Sequence, residues 1–97
     1  MIHFEWNPAK AKANLRKHRV GFSEAASVFC DLLGITIFDP DHSQDEDRYI
    51  TIGTSRAGRL LLVAHTDRAD RIRIITAREL NPAERQAYEN EVKRRKG

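Results

Sequence analysis

The segment 58–78, GRLLLVAHTDRADRIRIITAR, constrains the fold most, because a strong strand pattern coincides there with a concentration of cationic side chains. Residues 60–66 and 71–77 are rich in Leu, Ile and Val, and the polar residues 67–70 separate them. This pattern predicts a β-hairpin with a four-residue connection. Strict alternation along the second strand gives two faces: Ile72, Ile74 and Thr76 on one, and Arg71, Arg73, Ile75 and Ala77 on the other. Because a buried face rarely carries two arginines, that face must meet either water or a negatively charged partner.

The length of 97 residues indicates one domain with a single core, so a functional surface must be a face of that fold. No apolar run approaches the roughly 18 to 20 residues that a membrane span needs, and the N-terminus lacks a signal-peptide core. We therefore expect a cytoplasmic protein that does not bind membranes. The one cysteine, Cys30, excludes an intramolecular disulfide and leaves too few thiols for a zinc cluster. We expect it to be a small core residue.

Charge is unevenly distributed along the chain. Residues 1–20 hold five basic and one acidic side chain, whereas residues 21–47 hold seven acidic and no basic ones. Residues 48–97 hold twelve basic and six acidic side chains. This order is typical of a protein with a surface that faces nucleic acid and a second surface of opposite sign. The alternative is that the charges only solvate helix faces.

The predicted order of elements is β-α-α-β-β-β-β-α. Asn7 and Asn81, each followed by proline, are good N-caps for the first and last helices. The predicted strands are 2–6, 35–38, 48–54, 60–66 and 71–77, and the predicted helices are 8–18, 22 to about 29, and 82 to about 95. The fold class is therefore α+β, with a mostly antiparallel sheet and helices packed on one face, which leaves the other face available.

The segment 39–47, DPDHSQDED, holds five acidic residues among nine. Its spacing lacks the glycine and the final bidentate glutamate of an EF-hand loop, so we expect no metal site there. Two interpretations stay open: a solvated loop, or a surface that meets a basic segment of a partner.

Three collinear segments resemble the BrnT family of toxins from type II toxin-antitoxin modules. They are FEWNPAKAKANLRKHRVGFSEAASVF, DPDHSQDEDRYITIG and RIRIITARELNPAER, and the resemblance extends from residue 4 to about residue 90. It implies that residues 1–97 form a single RelE-like toxin domain. One departure is Gly21, which stands where we expect a serine to open the second helix.

The resemblance also implies a function. Members of this family are expected to be bacterial endoribonucleases that need neither a metal nor another cofactor and that arrest growth by cleaving RNA. The expected partner is a cognate BrnA-like DNA-binding antitoxin, which neutralises the toxin. Promoter DNA would be bound only through the complex with the antitoxin.

Cleavage of RNA without a metal needs a base for the 2′-hydroxyl proton, an acid for the leaving 5′-oxygen and a cation for the phosphorane. Arginine suits the third role because its planar fork binds two phosphate oxygens and stays charged. Arg73 and Arg78 are the candidates. The structural alternatives are a solvated strand residue for Arg73, and an ion pair with Glu79 or with a helix acid for Arg78.

Histidine is the usual acid or base near neutral pH, and we favour His65 on the opposing strand of the hairpin. A four-residue connection pairs His65 with Ile72 and turns it to the face of Ile74, whereas a one-residue bulge sets it beside Arg73. Its partnership with Arg73 therefore depends on the register of the hairpin.

Further candidates lie outside the hairpin strands. His42 and Glu46, in the acidic segment, are alternative acid-base groups. Arg48 and Arg71 are expected to bind RNA, and Trp6 either stacks on a base or belongs to the core.

Three classes of function remain open on the sequence alone. The first is a catalytic ribonuclease, and the second is a non-catalytic RNA- or DNA-binding module that uses the same basic sheet face. The chain lacks an RRM aromatic motif, a GXXG loop and a strong helix-turn-helix pair, which disfavours the second class. The third is a scaffold that binds the antitoxin and has lost its chemistry.

Overall fold

The computed structural model describes residues 2–96 and confirms the predicted α+β order of elements. The strands are β1 (His3–Glu5), β2 (Ile35–Phe38), β3 (Arg48–Thr54), β4 (Leu60–Arg68) and β5 (Arg71–Glu79). The helices are α1 (Pro8–His18), α2 (Phe22–Ser27) and α3 (Pro82–Lys96). Within residues 2–96, no helix combines the length and the apolar character that crossing a membrane requires.

Local capping signals set the starts of α1 and α3. The side-chain oxygen of Asn7 accepts hydrogen bonds from the backbone N–H groups of Ala9 (2.8 Å) and Lys10 (3.1 Å). Asn81 accepts from the N–H of Glu84 at 2.8 Å, and the Glu84 carboxylate accepts from the N–H of Asn81 at 3.0 Å. This reciprocal pair satisfies two N–H groups that the helix itself leaves free. The predicted starts of both helices are confirmed.

The second helix is shorter than predicted. α2 ends at Ser27, and Val28–Cys30 continue as a 3₁₀ turn. The core position expected for Cys30 is wrong, since its side chain is exposed. Val28 fills the core instead, and the tighter winding after Ser27 turns the thiol outward.

The five strands form one sheet in the order β1-β5-β4-β3-β2. β2, β3, β4 and β5 form an antiparallel meander, whereas β1 pairs with β5 in parallel. The connection between β4 and β5 consists of only Ala69 and Asp70, so the predicted four-residue connection is wrong. Ala69 adopts a φ of 53°, and this left-handed conformation helps two residues reverse the chain.

The pairing of β4 with β5 slips by one residue between Ala64 and His65. Between the slip and the β4–β5 turn, His65 lies opposite Ile74. On the other side of the slip, Ala64 lies opposite Thr76. Ile75 is therefore an extra residue on β5. Such a bulge reverses the alternation of side chains along the strand.

The bulge makes the predicted division of β5 into two faces wrong beyond Ile74. Thr76 shares a face with Arg73, whereas Ala77 joins Ile74 in the core, where the two are 0% and 1% exposed. Strict alternation holds only along an uninterrupted ladder. Arg78, like Thr76, consequently lies on the same face as Arg73.

α1 and α2 cover one face of the sheet, here called the helix-covered face. Its core consists of Val20, Phe22, Ala25, Val28, Leu61, Val63, Ile74 and Ala77. The opposite face is here called the second face. It carries Glu5, Arg48, Thr66, Arg68, Arg71, Arg73, Thr76 and Arg78, and an apolar half made of Ile35, Ile37, Ile50, Ile52 and Leu62.

α3 lies over the second face, so the prediction that the helices pack on one face is correct only for α1 and α2. Arg78 pairs with Glu84 in the first turn of α3 at 2.8 and 2.9 Å, which fixes the start of the helix there. Ala87 and Tyr88 approach the apolar half, and a hollow of about 440 Å³ separates the helix from the sheet. The helix has too few apolar side chains to fill this space.

A buried amide attaches α1 to the edge of β5 beyond the short strand β1. Asn14, 6% exposed, donates to the carbonyl oxygens of Ala77 (2.8 Å) and Val20 (3.0 Å). Its side-chain oxygen accepts from the N–H of Ala77 at 3.1 Å. The side chain thus takes the place that a neighbouring strand would occupy.

Replacing Asn14 with Leu should destabilise the protein by about 3 kcal/mol, because it leaves buried backbone groups of Ala77 and Val20 without partners. Urea denaturation measures this change. Asn90→Leu, an exposed helix position, is the control and should change the free energy of unfolding by less than about 0.5 kcal/mol. Similar values for the two variants would contradict the role of Asn14.

Candidate active site

Arginines from three strands gather on the second face at the end next to the β4–β5 turn. Arg68 and Arg71 lie opposite each other on the two sides of the turn, and Arg73 lies opposite Thr66. Arg48, on β3, flanks Thr66 from the other side. Arg48, Arg68, Arg71 and Arg73 are here called the arginine cluster. The tight turn brings them together because the pairing of β4 with β5 continues up to the last residue before the turn and the first residue after it.

Glu5 binds one side of the arginine cluster. Parallel pairing of β1 with β5 sets Glu5 opposite Arg73. Its carboxylate accepts hydrogen bonds from Arg73 at 2.9 Å and from Arg71 at 3.3 Å. These bonds lower the pKa of Glu5, with the larger effect from Arg73. The carboxylate is therefore ionised at neutral pH and holds the two guanidinium groups side by side.

The acidic segment 39–47 brings a second carboxylate to the cluster. Glu46 accepts two hydrogen bonds from Arg68, at 2.7 and 2.9 Å. These bonds lower the pKa of Glu46, and the charges of Arg68, Arg73 and Arg48 lower it further. The predicted site residues Glu46, Arg48 and Arg73 are thus close to one another.

Two buried polar atoms at the arginine cluster, one of an arginine and one of a neighbouring threonine, have no hydrogen-bond partner among the described residues. They are Nε of Arg48 and the hydroxyl oxygen of Thr66, on facing residues of β3 and β4. Thr66 is 4% exposed. Because buried polar groups are nearly always paired, two such atoms on facing residues are unusual, and both are closed to solvent, so a ligand oxygen reaches them only after neighbouring side chains move. A guanidinium and a hydroxyl together suit a phosphate oxygen.

His65 lies on the helix-covered face and is 1% exposed. Its Nδ1 lies 2.8 Å from the Asp67 carboxylate, and its Nε2 lies 2.7 Å from the hydroxyl of Thr51. The Thr51 hydroxyl in turn lies 2.8 Å from that of Thr36. Burial lowers the pKa of His65, and the Asp67 carboxylate opposes this effect. In the neutral ring Nδ1–H donates to Asp67 and Nε2 accepts from Thr51, so both nitrogens are occupied.

The structure does not bring His65 and Arg73 together. The short turn sets His65 opposite Ile74, so the predicted pairing with Ile72 is wrong. A bulge is present, but it lies beyond His65 and leaves the ring on the face opposite to the arginine cluster. Asp67 and Arg68 have the polar character of a loop, yet they continue β4 and shift the register.

His42 occupies the acidic segment in an exposed position. Its Nδ1 lies 2.8 Å from the carboxylate of Asp39, whose side chain is 12% exposed. Among residues 2–96, no hydrogen bond involves its Nε2 atom. The hydrogen bond between this carboxylate and Nδ1 orients the imidazole, as in many acid-base sites.

Arg78 and Trp6 lie apart from the arginine cluster. Arg78 forms the predicted alternative ion pair with a helix acid, Glu84, whose pKa it lowers to about 2. Trp6 packs edge-on against Phe22 with ring centroids 5.9 Å apart, on the helix-covered side. The core interpretation of Trp6 is therefore the one that the structure supports.

Sequence reasoning misses three residues of this site: Glu5, Thr66 and Arg68. The polar run around Arg68 predicts a turn, although it is equally compatible with the end of a strand. The contact of Glu5 depends on the parallel pairing of β1 with β5, which no local pattern reveals. Thr66 has no distinguishing sequence signal.

Comparisons with known proteins agree with the fold and with the resemblance. A family model described as "Ribonuclease toxin, BrnT, of type II toxin-antitoxin system" matches residues 6–84. The crystal structure of the Brucella abortus ribonuclease toxin BrnT is similar, with a TM-score of 0.61 and 15% sequence identity. The match covers 84% of this chain and 99% of that one, and it confirms the α+β fold. The RelE-like assignment stays a prediction. No curated protein sequence matches this chain.

The burial of His65 predicts that the protein loses stability as the pH falls. The pKa of His65 in the folded state lies below its usual 6.5, so the unfolded chain takes up a proton first. The free energy of unfolding should be highest above pH 6.5 and should fall as the pH drops towards the folded-state pKa. Denaturant titrations between about pH 7.5 and about pH 5 measure this slope.

His65→Gln should flatten the pH dependence in that window, since glutamine does not titrate. His3→Gln, which removes an exposed imidazole, is the matched control and should leave the slope in place. An unchanged slope in His65→Gln would show that another group is responsible.

Proposed function

This chain belongs to the BrnT family of ribonuclease toxins of type II toxin-antitoxin systems, and we propose that it is a metal-independent endoribonuclease whose active site is the arginine cluster. It acts on RNA in the cytoplasm, arrests growth and is neutralised by a BrnA-like antitoxin. The gathering of four arginines and two carboxylates at one end of the second face is the observation that carries this proposal.

Glu46 is the proposed base. Its ionised carboxylate removes the proton of the 2′-hydroxyl, and that oxygen attacks the adjacent phosphorus. The bond from phosphorus to the 5′-oxygen then breaks. The products are a 2′,3′-cyclic phosphate and a 5′-hydroxyl end. The carboxylate of Glu46 accepts a hydrogen bond from Arg68 of the arginine cluster, so it is already close to the place where the phosphate binds.

Arg68 and Arg73 stabilise the negative charge that develops on the phosphorane. Both are fixed on strands, so they need no reorganisation when the charge forms. Arg48 and Thr66 bind a non-bridging oxygen of the same phosphate. Arg71 binds the neighbouring part of the RNA. RNA binding requires the guanidinium groups to exchange Glu5 and Glu46 for phosphate oxygens, and a guanidinium can bind two of these oxygens at once.

His42 is the proposed acid. Asp39 orients its ring through Nδ1, and in the imidazolium form Nε2–H gives its proton to the leaving 5′-oxygen, after which solvent returns a proton to His42 and takes one from Glu46. His42 and Glu46 belong to the same acidic segment, so an antitoxin that covers this segment blocks both groups. Metal independence follows in this proposal because the arginine cluster supplies the positive charge that a metal ion would otherwise bring to the phosphorane.

His65 is a positioning residue in this proposal. Its bonds to Asp67 and Thr51 fix the end of β4 from the helix-covered face. Thr66 is the next residue in the chain and Arg68 follows Asp67. The network therefore determines where these two side chains stand on the second face.

Arg73→Ala should lower kcat for cleavage of RNA by about 100- to 1,000-fold, because a charge that stabilises the phosphorane is removed. Purified protein is incubated with an end-labelled oligoribonucleotide in EDTA, and the products are separated by size. Cleavage by the wild type should persist in EDTA. Arg85→Ala, which removes an arginine of α3 outside the cluster, is the control and should cleave at the wild-type rate.

Two outcomes would contradict the proposal. Loss of cleavage in EDTA would overturn metal independence. Tight binding of RNA without any cleavage by the wild type would favour the non-catalytic binding module instead.

Thr51→Val should lower kcat by about tenfold or more with little change in KM, since it removes the hydroxyl that donates to His65 while keeping the side-chain volume. Thr51→Ser should restore kcat. Val63→Ala, a buried change on β4 outside the network, controls for reduced stability. If Val63→Ala and Thr51→Val lower activity only in proportion to their unfolded fractions, the network has no positioning role.

A further inference from the structure

The cations of α1 differ from four of the five arginines on the second face and its strands in having no acidic partners among residues 2–96; the exception on the sheet is Arg48. Arg68, Arg71, Arg73 and Arg78 each pair with a glutamate. Among residues 2–96, no ion pair involves the cations of α1 and its C-cap, which are Lys10, Lys12, Arg16, Lys17 and Arg19. The helix itself contains no acidic residue. Its positive charge is therefore not neutralised within the described part of the chain.

Four of these five cations form two stripes on different sides of α1, and the fifth, Arg19, lies on the surface of the second stripe. Lys10 and Lys17, here called the edge stripe, are two helical turns apart and line a hollow of about 290 Å³ with Ile75 and Thr76 of β5. Lys12 and Arg16, here called the outer stripe, line a separate surface away from the strand.

The edge stripe is held in a fixed position beside the second face. Asn14, which lies on the same side of α1, bonds both backbone groups of Ala77 and attaches the helix to the edge of β5. Thr76 belongs to the second face, between Arg73 and Arg78 along β5. A strand of RNA that leaves the arginine cluster across the edge of β5 therefore meets Lys10 and Lys17.

We propose that the edge stripe binds the phosphates of the RNA that flanks the cleaved bond. This inference rests on the proposed function, because it takes the arginine cluster as the place of cleavage. Lysine ammonium groups bind phosphates as mobile point charges and read no sequence. The edge stripe consequently contributes to the affinity for RNA and to the path that the RNA takes across the protein surface. The chemical step depends on the arginine cluster.

The test compares two double variants of one helix. Lys10→Gln/Lys17→Gln removes the edge stripe, and Lys12→Gln/Arg16→Gln removes the same charge from the outer stripe. All four positions are exposed, so both variants should melt like the wild type. Cleavage is measured with a labelled oligoribonucleotide. Binding is measured by fluorescence anisotropy with the same oligonucleotide carrying 2′-O-methyl groups, which cannot be cleaved.

The edge-stripe variant should raise both KM and Kd by about tenfold while kcat stays within about twofold of the wild type. It should also reduce the slope of log K against log salt, between about 50 and about 200 mM salt, by roughly 0.7 for each phosphate that the protein no longer binds. The outer-stripe variant should change Kd by less than about threefold and leave the slope nearly unchanged.

Equal effects of the two variants would overturn the proposal, because binding would then follow net charge alone. Wild-type affinity in the edge-stripe variant would also overturn it, and an acidic protein segment would become the better candidate partner. A fall in kcat at unchanged KM would place the lysines in the chemical step instead, which also contradicts the proposal. If the wild type binds the oligonucleotide but cleaves none, the proposed function fails, while the anisotropy results still decide the binding surface.

Discussion

One extra residue, Ile75, decides which side chains of this sheet act together. In an uninterrupted ladder Arg78 would lie on the face opposite to Arg71 and Arg73. The bulge places all three on the second face, where Arg78 binds Glu84 and holds the start of α3. The same slip buries both Ile74 and Ala77 against α1 and α2. The position of Arg78 on the second face, the attachment of α3 and the burial of Ala77 beside Ile74 therefore depend on a single irregularity of pairing.

Two carboxylates offset half of the charge of the four arginines in the arginine cluster when no RNA is bound. Glu5 and Glu46 occupy the guanidinium groups of Arg71, Arg73 and Arg68 through hydrogen bonds. These pairs are partly exposed to water, where ion pairs contribute little to stability. A phosphate can therefore replace a carboxylate at small cost.

The sequence predicts best what depends on neighbouring residues. The starts of α1 and α3 follow from Asn7 and Asn81, whose caps form within three residues of the chain. The order of elements follows from hydrophobic periodicity, and the family follows from collinear segments. In contrast, the bulge at Ile75 and the position of α3 on the second face depend on which strand pairs with which, and no local rule contains that information.

The candidate site is predictable only in part for the same reason. Arg48, Arg73 and Glu46 are types of residue that RNA chemistry needs, and the structure brings them together. His65 is also of a suitable type, but its role depends on register, and the bulge that could have set it beside Arg73 lies on the far side of His65 from the turn. Asn14 has the sequence signature of an ordinary polar residue on a surface helix, because its partner Ala77 is distant in the chain.

The proposed function depends most on RNA being bound and cleaved on the second face at the arginine cluster. Photo-crosslinking with a 2′-O-methylated oligonucleotide that contains 4-thiouridine, followed by mass spectrometry, tests this most directly. We expect crosslinks in residues 46–48 and 66–73. Crosslinks confined to 82–96 and the apolar half of the second face, with none at the cluster, would contradict it.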